Sequence, residues 1–280
     1  MSYTKQNFEN DKVLFAEQLN ALDSQIELLS NSIYKDKYLS VLGDSISTFK
    51  GISNDSSLGL GKNAVFYTGS NSGVSSANDT YWMKTINALG MKLCVNNSWS
   101  GGYLTKHKPN VGAENDSDGT VSNAMVRCTA LHTSTNTPDV IFIMIGINDF
   151  IASISEGTFS DSSTSFSTDN SATTIREAWA NVLHNVCTAY PKAEVYLATY
   201  PQAVTDVGTS KGVKLEKYRD IVREIAELFG VKVIELAQCG IKTQNASLYL
   251  PDDLHPNAAG HSLMANEIIR TLDPAVRVRY

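Results

Sequence analysis

The sequence predicts a doubly wound α/β fold, three layers deep, built on a five-stranded parallel sheet and preceded by an extra N-terminal helix. Three observations carry that expectation. Five short runs are almost continuously apolar, as strands covered on both faces must be. Helical patterns alternate with them, which argues right-handed crossovers and a parallel sheet. The chain's 280 residues, 42% of them hydrophobic, are enough for one large core.

The first element stands apart from that alternation. Phe8, Phe15, Leu19, Leu22, Ile26, Leu29 and Ile33 recur at helical spacing without an intervening proline or glycine. They form a heptad seam of barely three repeats, and the flanking e and g positions lack complementary charges. Residues 1–35 therefore read as an N-terminal helix that either packs on its own domain or joins copies of the chain through residues 8–33. The domain proper is expected to occupy 36–280.

The strands follow as YLSVLGDS from residue 38, MKLCVNN at 91–97, DVIFIMIG at 139–146, AEVYLATY at 193–200 and GVKVIEL at 230–236. Helical patterns cover about 79–90, 173–190, 211–229 and 257–272. Three irregular stretches interrupt the rhythm: 51–78, rich in Gly, Ser and Asn; 103–137; and 151–171, with eleven Ser or Thr among twenty-one residues. Each follows a strand, and loops of this length in a compact domain are usually functional or mobile. In open α/β sheets the ligand site lies beyond the carboxyl ends of the strands.

Composition excludes several classes. No run approaches eighteen apolar residues, so no membrane span is expected. A net charge of −6 without a basic stripe disfavours nucleic acid as a partner. The start of the chain, MSYTKQNFENDK, lacks the apolar stretch of a signal peptide. Action inside a cell, or export to a virion or cell surface by another route, is the corresponding expectation. Cys94, Cys128, Cys187 and Cys239 contain no CxxC pair, and Cys94 and Cys187 read as small core residues. His107, His132, His184 and His261 show no metal-ligand spacing, so neither metal nor cofactor is expected. Gly61-Lys62-Asn63 is no phosphate-binding loop, and GxSxG is absent.

Chemistry gathers at the predicted strand ends. The first strand ends Gly43-Asp44-Ser45, the second Asn97-Ser98-Trp99-Ser100-Gly101-Gly102, and the third Gly146-Ile147-Asn148-Asp149. Asp252-Asp253-Leu254-His255-Pro256 lies just before the last helix. A serine in GDS is by itself often only a turn or cap residue. Together, however, the segments supply a nucleophile, a base with a carboxylate beside it, and donors for an oxyanion, which is what acyl transfer requires. Asp252 and Asp253 are both near enough to orient His255. Tyr81 and Trp82 head an amphipathic helix and read as core, whereas Trp99, in the loop after the second strand, reads as a substrate contact. His261 reads as a surface or packing residue.

These four blocks, in this order, resemble those of the SGNH hydrolases, also called the GDSL esterase/lipase family. The resemblance spans about 38–272 and implies the family's flavodoxin-like sheet and a serine esterase activity without cofactor. Ile46 stands where the family has leucine, a swap without catalytic consequence. Carried over by position, the resemblance implies Ser45 as nucleophile, His255 as base and Asp252 as its carboxylate. It implies an oxyanion hole from Ser45, Gly101 (with Gly102 as fallback) and Asn148. The polar loops favour a hydrated ester, such as an O-acetylated carbohydrate, as substrate. Short-chain acyl esters, thioesters, or glycan binding as the attachment module of a phage tail or surface assembly are the alternatives.

Overall fold

The structure, a computed structural model, describes residues 17, 19–21, 32–53, 65–107, 122–158, 166–202 and 215–274. All five predicted strands form, as β1 (Tyr38–Gly43), β2 (Lys92–Asn96), β3 (Val140–Met144), β4 (Glu194–Ala198) and β5 (Lys232–Ile234). They pair in parallel in the order β2-β1-β3-β4-β5, the arrangement expected of a doubly wound sheet. The helices are α1 (Tyr81–Leu89), α2 (Ala124–Arg127), α3 (Ile147–Ile151), α4 (Ile175–Ala189), α5 (Leu215–Phe229), α6 (Ala246–Tyr249) and α7 (Ala258–Leu272). The short α2 falls in the irregular stretch 103–137.

Sheet order fixes which helices share a face. The chain moves one way from β1 through α1 to β2 and the other way from β3 through α4 to β4, so right-handed crossovers put α1 and α4 on opposite faces. Accordingly α1 packs against α7, and α4 against α5. Each turns an apolar stripe inward. In α5 the buried residues Leu215, Tyr218, Ile221, Val222 and Ile225 recur every three or four positions, while Arg223 on the outer side pairs with Glu216, Asp220 and Glu235. Helix ends follow local chemistry: the Thr80 hydroxyl accepts the Met83 N–H at the start of α1, and Asn257 accepts the Gly260 N–H at the start of α7. Tyr81 and Trp82 are buried, as core residues should be.

Of the predicted helix over 8–33, Glu17 and residues 19–21 are described and are helical; the remaining heptad positions lie outside the described residues, except Ile33. Ile33 is in a turn and 75% exposed, so it does not extend the helix. The segment that follows is fastened to the domain. The Ser32 hydroxyl and the Ile33 N–H both donate to Asp273 just after α7, at 2.6 and 3.1 Å. The Tyr34 hydroxyl meets those of Tyr196 at 2.9 Å and the Glu194 carboxylate at 3.1 Å on β4. The cysteine expectation is reversed: Cys94 and Cys187 are half-buried, while Cys128 and Cys239, outside strands and long helices, are the buried ones. Apolar neighbours in sequence do not decide which side of a strand or helix a residue occupies.

Strand register levels the site. Gly43 on β1 pairs with Met144 on β3, so two residues further on Ser45 and Gly146 leave the sheet side by side. On the other edge Val41 pairs with Asn96, which carries Asn97–Gly102 past the same end of β1.

Candidate active site

Ser45 begins a 3₁₀ turn (Ser45–Ser47) directly after β1. The turn is set by Asp44, whose carboxylate accepts the Ile46 N–H at 3.0 Å. Gly43 is required by close approach, since a Cβ there would lie 2.4 Å from the Ser47 hydroxyl. From the loop before α7, His255 reaches across so that its Nε2 lies 2.8 Å from Ser45 Oγ. Its Nδ1 lies 2.7 Å from Asp252 Oδ2. The other Asp252 oxygen accepts the backbone N–H groups of Leu254 and His255, at 3.1 and 2.7 Å. Asp253 has a left-handed backbone (φ 66°), its N–H donating to Leu250 O. The structure therefore pairs His255 with Asp252.

The loop after β2 is fastened to both neighbours. Trp99 N–H donates to Gly43 O at 3.1 Å, and Gly102 N–H to Trp99 O at 2.9 Å, closing a turn around Gly101. The Asn148 amide donates one hydrogen to Gly102 O at 2.9 Å. The next residue, Asp149, is wholly buried and accepts Leu104 N–H, Thr105 N–H and the Thr105 hydroxyl at 2.8, 2.9 and 2.6 Å. Gly146 could not be otherwise, because it has φ 110° and a Cβ would strike the Tyr218 hydroxyl. Four segments distant in sequence thus meet at one end of the sheet.

The chain matches the GDSL-like lipase/acylhydrolase family over residues 37–272. It belongs to that family. Among solved structures, this acylhydrolase resembles a protein described as a GDSL-like lipase from Bacteroides ovatus, with 26% identity and a TM-score of 0.63 over 85% of this chain and 98% of that one. A second, from Bacteroides uniformis and described in the same words, shares 23% identity and a TM-score of 0.62 over 85% and 96%. A catalytic mutant of an acetylxylan esterase from Geobacillus stearothermophilus shares the fold at 20% identity and a TM-score of 0.54, over 89% and 100%. No curated protein sequence matches the chain.

The protonation states within this GDSL-like acylhydrolase suit a general base. Burial draws the His255 pKa below its ordinary value, against the opposing pull of the Asp252 carboxylate, so the imidazole is neutral at neutral pH. Burial works to raise Asp252, but the N–H and ring of His255 and the N–H of Leu254 outweigh it and hold the carboxylate below its usual range. Asp44 and Asp149 are different. Burial pushes each up to about 6, opposed at Asp44 by the Tyr200 hydroxyl and Ile46 N–H, and at Asp149 by Thr105 and Leu104.

Several residues that order this family member's site gave no signal in the sequence. The Tyr200 hydroxyl, just past β4, donates to Asp44 and accepts the Ile147 N–H at 3.4 Å, so it bridges the serine and asparagine segments. Arg127, buried on α2, binds the carbonyls of Asn97 and Ser122 and so holds the loop after β2. The ring of Phe66 lies flat against His255.

One sequence expectation fails on burial. Trp99 is 2% exposed and its indole N–H has no partner among the described residues, so it packs beneath the loop rather than facing substrate. Next to the Ser45 turn lies instead a cavity of about 230 Å³, lined by Ile46, Ile147, Ile151, Pro201, Leu250 and Leu254 together with Asp252 and Asp253. A larger cavity, about 520 Å³, is lined by Ile154, Glu156 and Lys217 and shares no lining residue with the smaller one. Among the described residues no group of three His, Cys, Asp or Glu could hold a metal ion, and no helix is long and apolar enough to cross a membrane. His107, His132 and His184 each lie against an aromatic ring, of Tyr103, Tyr190 and Phe166 respectively.

His261 is fully buried on α7, between Tyr67 and Tyr81, and its Nδ1 accepts the Tyr81 N–H at 3.2 Å. Burial, with a smaller push from Lys84, lowers its pKa to about 3. The unfolded chain binds that proton at about 6.5, so between about 6.5 and 3 unfolding takes up a proton and stability falls as pH falls. In urea titrations the wild type should lose stability relative to His261→Leu by up to about 1.4 kcal/mol for each pH unit below 6.5. Asp44 and Asp149, raised on folding, give the opposite slope near pH 4–6 in both proteins and cancel in the difference. A pH-independent difference would show that His261 is not buried neutral.

Proposed function

We propose that Ser45, His255 and Asp252 are the catalytic triad with which this acylhydrolase cleaves carboxylic esters through an acyl-enzyme on Ser45. The observation that carries the reading is the unbroken pair of hydrogen bonds, 2.8 Å from Ser45 Oγ to His255 Nε2 and 2.7 Å from Nδ1 to Asp252. In the proposed cycle Ser45 Oγ attacks the ester carbonyl as its proton passes to Nε2. The C–O bond to the alcohol then breaks and the alcohol leaves with that proton. Water, deprotonated by the same nitrogen, attacks the acyl-enzyme, releasing the acid and restoring Ser45. The N–H groups of Ser45 and Gly101 and the second amide hydrogen of Asn148 are the proposed oxyanion donors. Gly101 is preferred to Gly102 because the Gly102 N–H is already given to Trp99 O.

The proposed substrate is an O-acetylated carbohydrate. The Ser-, Thr- and Asn-rich loops beyond the strand ends support it, as does the acetylxylan esterase among the structural neighbours. The apolar cavity beside Ile46 and Asp252 favours a second reading, an ester with a short acyl chain longer than acetyl, since its walls are mostly Ile, Leu and Pro. The test is a hydrolysis panel of acetylated xylo-oligosaccharides, p-nitrophenyl acetate, butyrate and octanoate, and an acyl thioester. Acetylated sugars should give the highest kcat/KM. A value at least tenfold higher on butyrate or octanoate would replace the first reading with the second, and glycan binding without turnover of any ester would favour an attachment module.

A further inference from the structure

We propose that Phe66 is a positioning residue for the general base, its phenyl face holding the His255 imidazole in the one plane that joins Asp252 to Ser45. The inference rests on the proposed role of His255. The two rings are stacked, with centroids 3.5 Å apart and planes 8° from parallel. The His255 side chain is only 12% exposed although its partner Asp252 is 46% exposed, so the cover over the imidazole comes from outside its own turn.

Phe66 is itself held by the nucleophile's turn. Its N–H donates to Thr48 Oγ1 at 2.8 Å, and the Thr48 hydroxyl donates to the Ser45 carbonyl at 2.8 Å. The next residue fastens the other side: the buried Tyr67 hydroxyl donates to Pro256 O at 2.7 Å, immediately after His255. One dipeptide therefore spans the serine turn and the histidine turn, and the ring it carries lies on the imidazole between them. A hydrogen bond at each nitrogen leaves the imidazole free to rock about its long axis; a flat ring against one face removes that freedom. The same face excludes water and attracts the positive charge that imidazole gains as it takes the Ser45 proton.

The test compares Phe66→Leu, Phe66→Tyr and Thr48→Val in the full chain, using p-nitrophenyl acetate and NMR of the His255 ring protons. Phe66→Leu should lower kcat about 10- to 100-fold with KM within about threefold. Phe66→Tyr, which keeps the ring, should restore kcat to within about threefold of wild type, and Thr48→Val should fall between them. The His255 ring protons should resonate upfield in the wild type and Phe66→Tyr, and move downfield in Phe66→Leu, independently of turnover. An active wild type whose Phe66→Leu variant keeps kcat, or changes only KM, would overturn the positioning role. A wild type that hydrolyses nothing would instead overturn the proposed function, while the NMR shift would still report the stack. Should Phe66→Leu not fold, Thr48→Val decides: unchanged kcat with an unshifted His255 signal counts against the proposal.

Discussion

Ser45→Ala should lower kcat by about 10⁴-fold or more, to the level that oxyanion donors and binding alone support, while the protein keeps its fold. The fold should survive because the serine side chain contributes little to it. Its hydroxyl bonds His255 Nε2, whereas the turn is made by Asp44, Ile46 and Thr48 through groups that alanine leaves in place. Activity should not survive, because among the described residues the hydroxyls beside Gly43 are not placed to substitute. Ser47 Oγ is bonded to the Tyr81 hydroxyl at 2.7 Å, and Ser98 is wholly buried. The measurement is kcat on p-nitrophenyl acetate with a thermal melt of the same preparation. An organophosphonate should label Ser45 in the wild type and nothing in the variant. Retention of more than about a hundredth of the activity, or labelling at another residue, would put the nucleophile elsewhere.

The sheet and the four site segments were legible in the sequence because their signals are local. DVIFIMIG must be a strand covered on both faces, and whatever follows such strands must gather at their carboxyl ends. The placing of Ser45, Asn148 and His255 at that edge therefore shows in the sequence. What stayed hidden depends on contacts between segments far apart. Phe66 lies in a Gly-, Ser- and Asn-rich stretch without periodicity, and nothing in it announces that the ring will meet a histidine 189 residues later. Tyr200 looks like the last residue of an apolar run until its hydroxyl is seen on Asp44. Trp99 misled for the same reason. An aromatic residue among Ser, Asn and Gly in a loop after a strand reads as a substrate contact, but Arg127 and Asp149 hold the polar loop inward and the indole is buried. A buried polar network must be satisfied throughout, so it often selects single residues with no pattern around them.

Asp252→Asn should cost about 10³- to 10⁴-fold in kcat, and Asp253→Asn almost nothing. The size of the first effect follows from how Asp252 is held. Its Oδ1 accepts two backbone N–H groups, from Leu254 and His255, while Oδ2 faces His255 Nδ1. An asparagine must keep its carbonyl oxygen toward those two donors, which turns its NH₂ toward Nδ1. A donor then faces the nitrogen that should carry the proton, so Nδ1 becomes the acceptor and Nε2 carries hydrogen toward Ser45. The base is left in the wrong tautomer, the defect that costs about 10⁴-fold in the serine-protease triad. Alanine imposes no such inversion, and the half-exposed site admits water to Nδ1, so Asp252→Ala should retain at least as much activity as Asp252→Asn. Asp253 sits at φ 66°, a conformation that asparagine adopts as readily as aspartate, and its N–H bond to Leu250 O belongs to the backbone. Its amide variant should therefore match the wild type in kcat. Steady-state kinetics on the three variants decide the assignment: if Asp253→Asn is the crippled one, the carboxylate that orients His255 is not Asp252 but its neighbour.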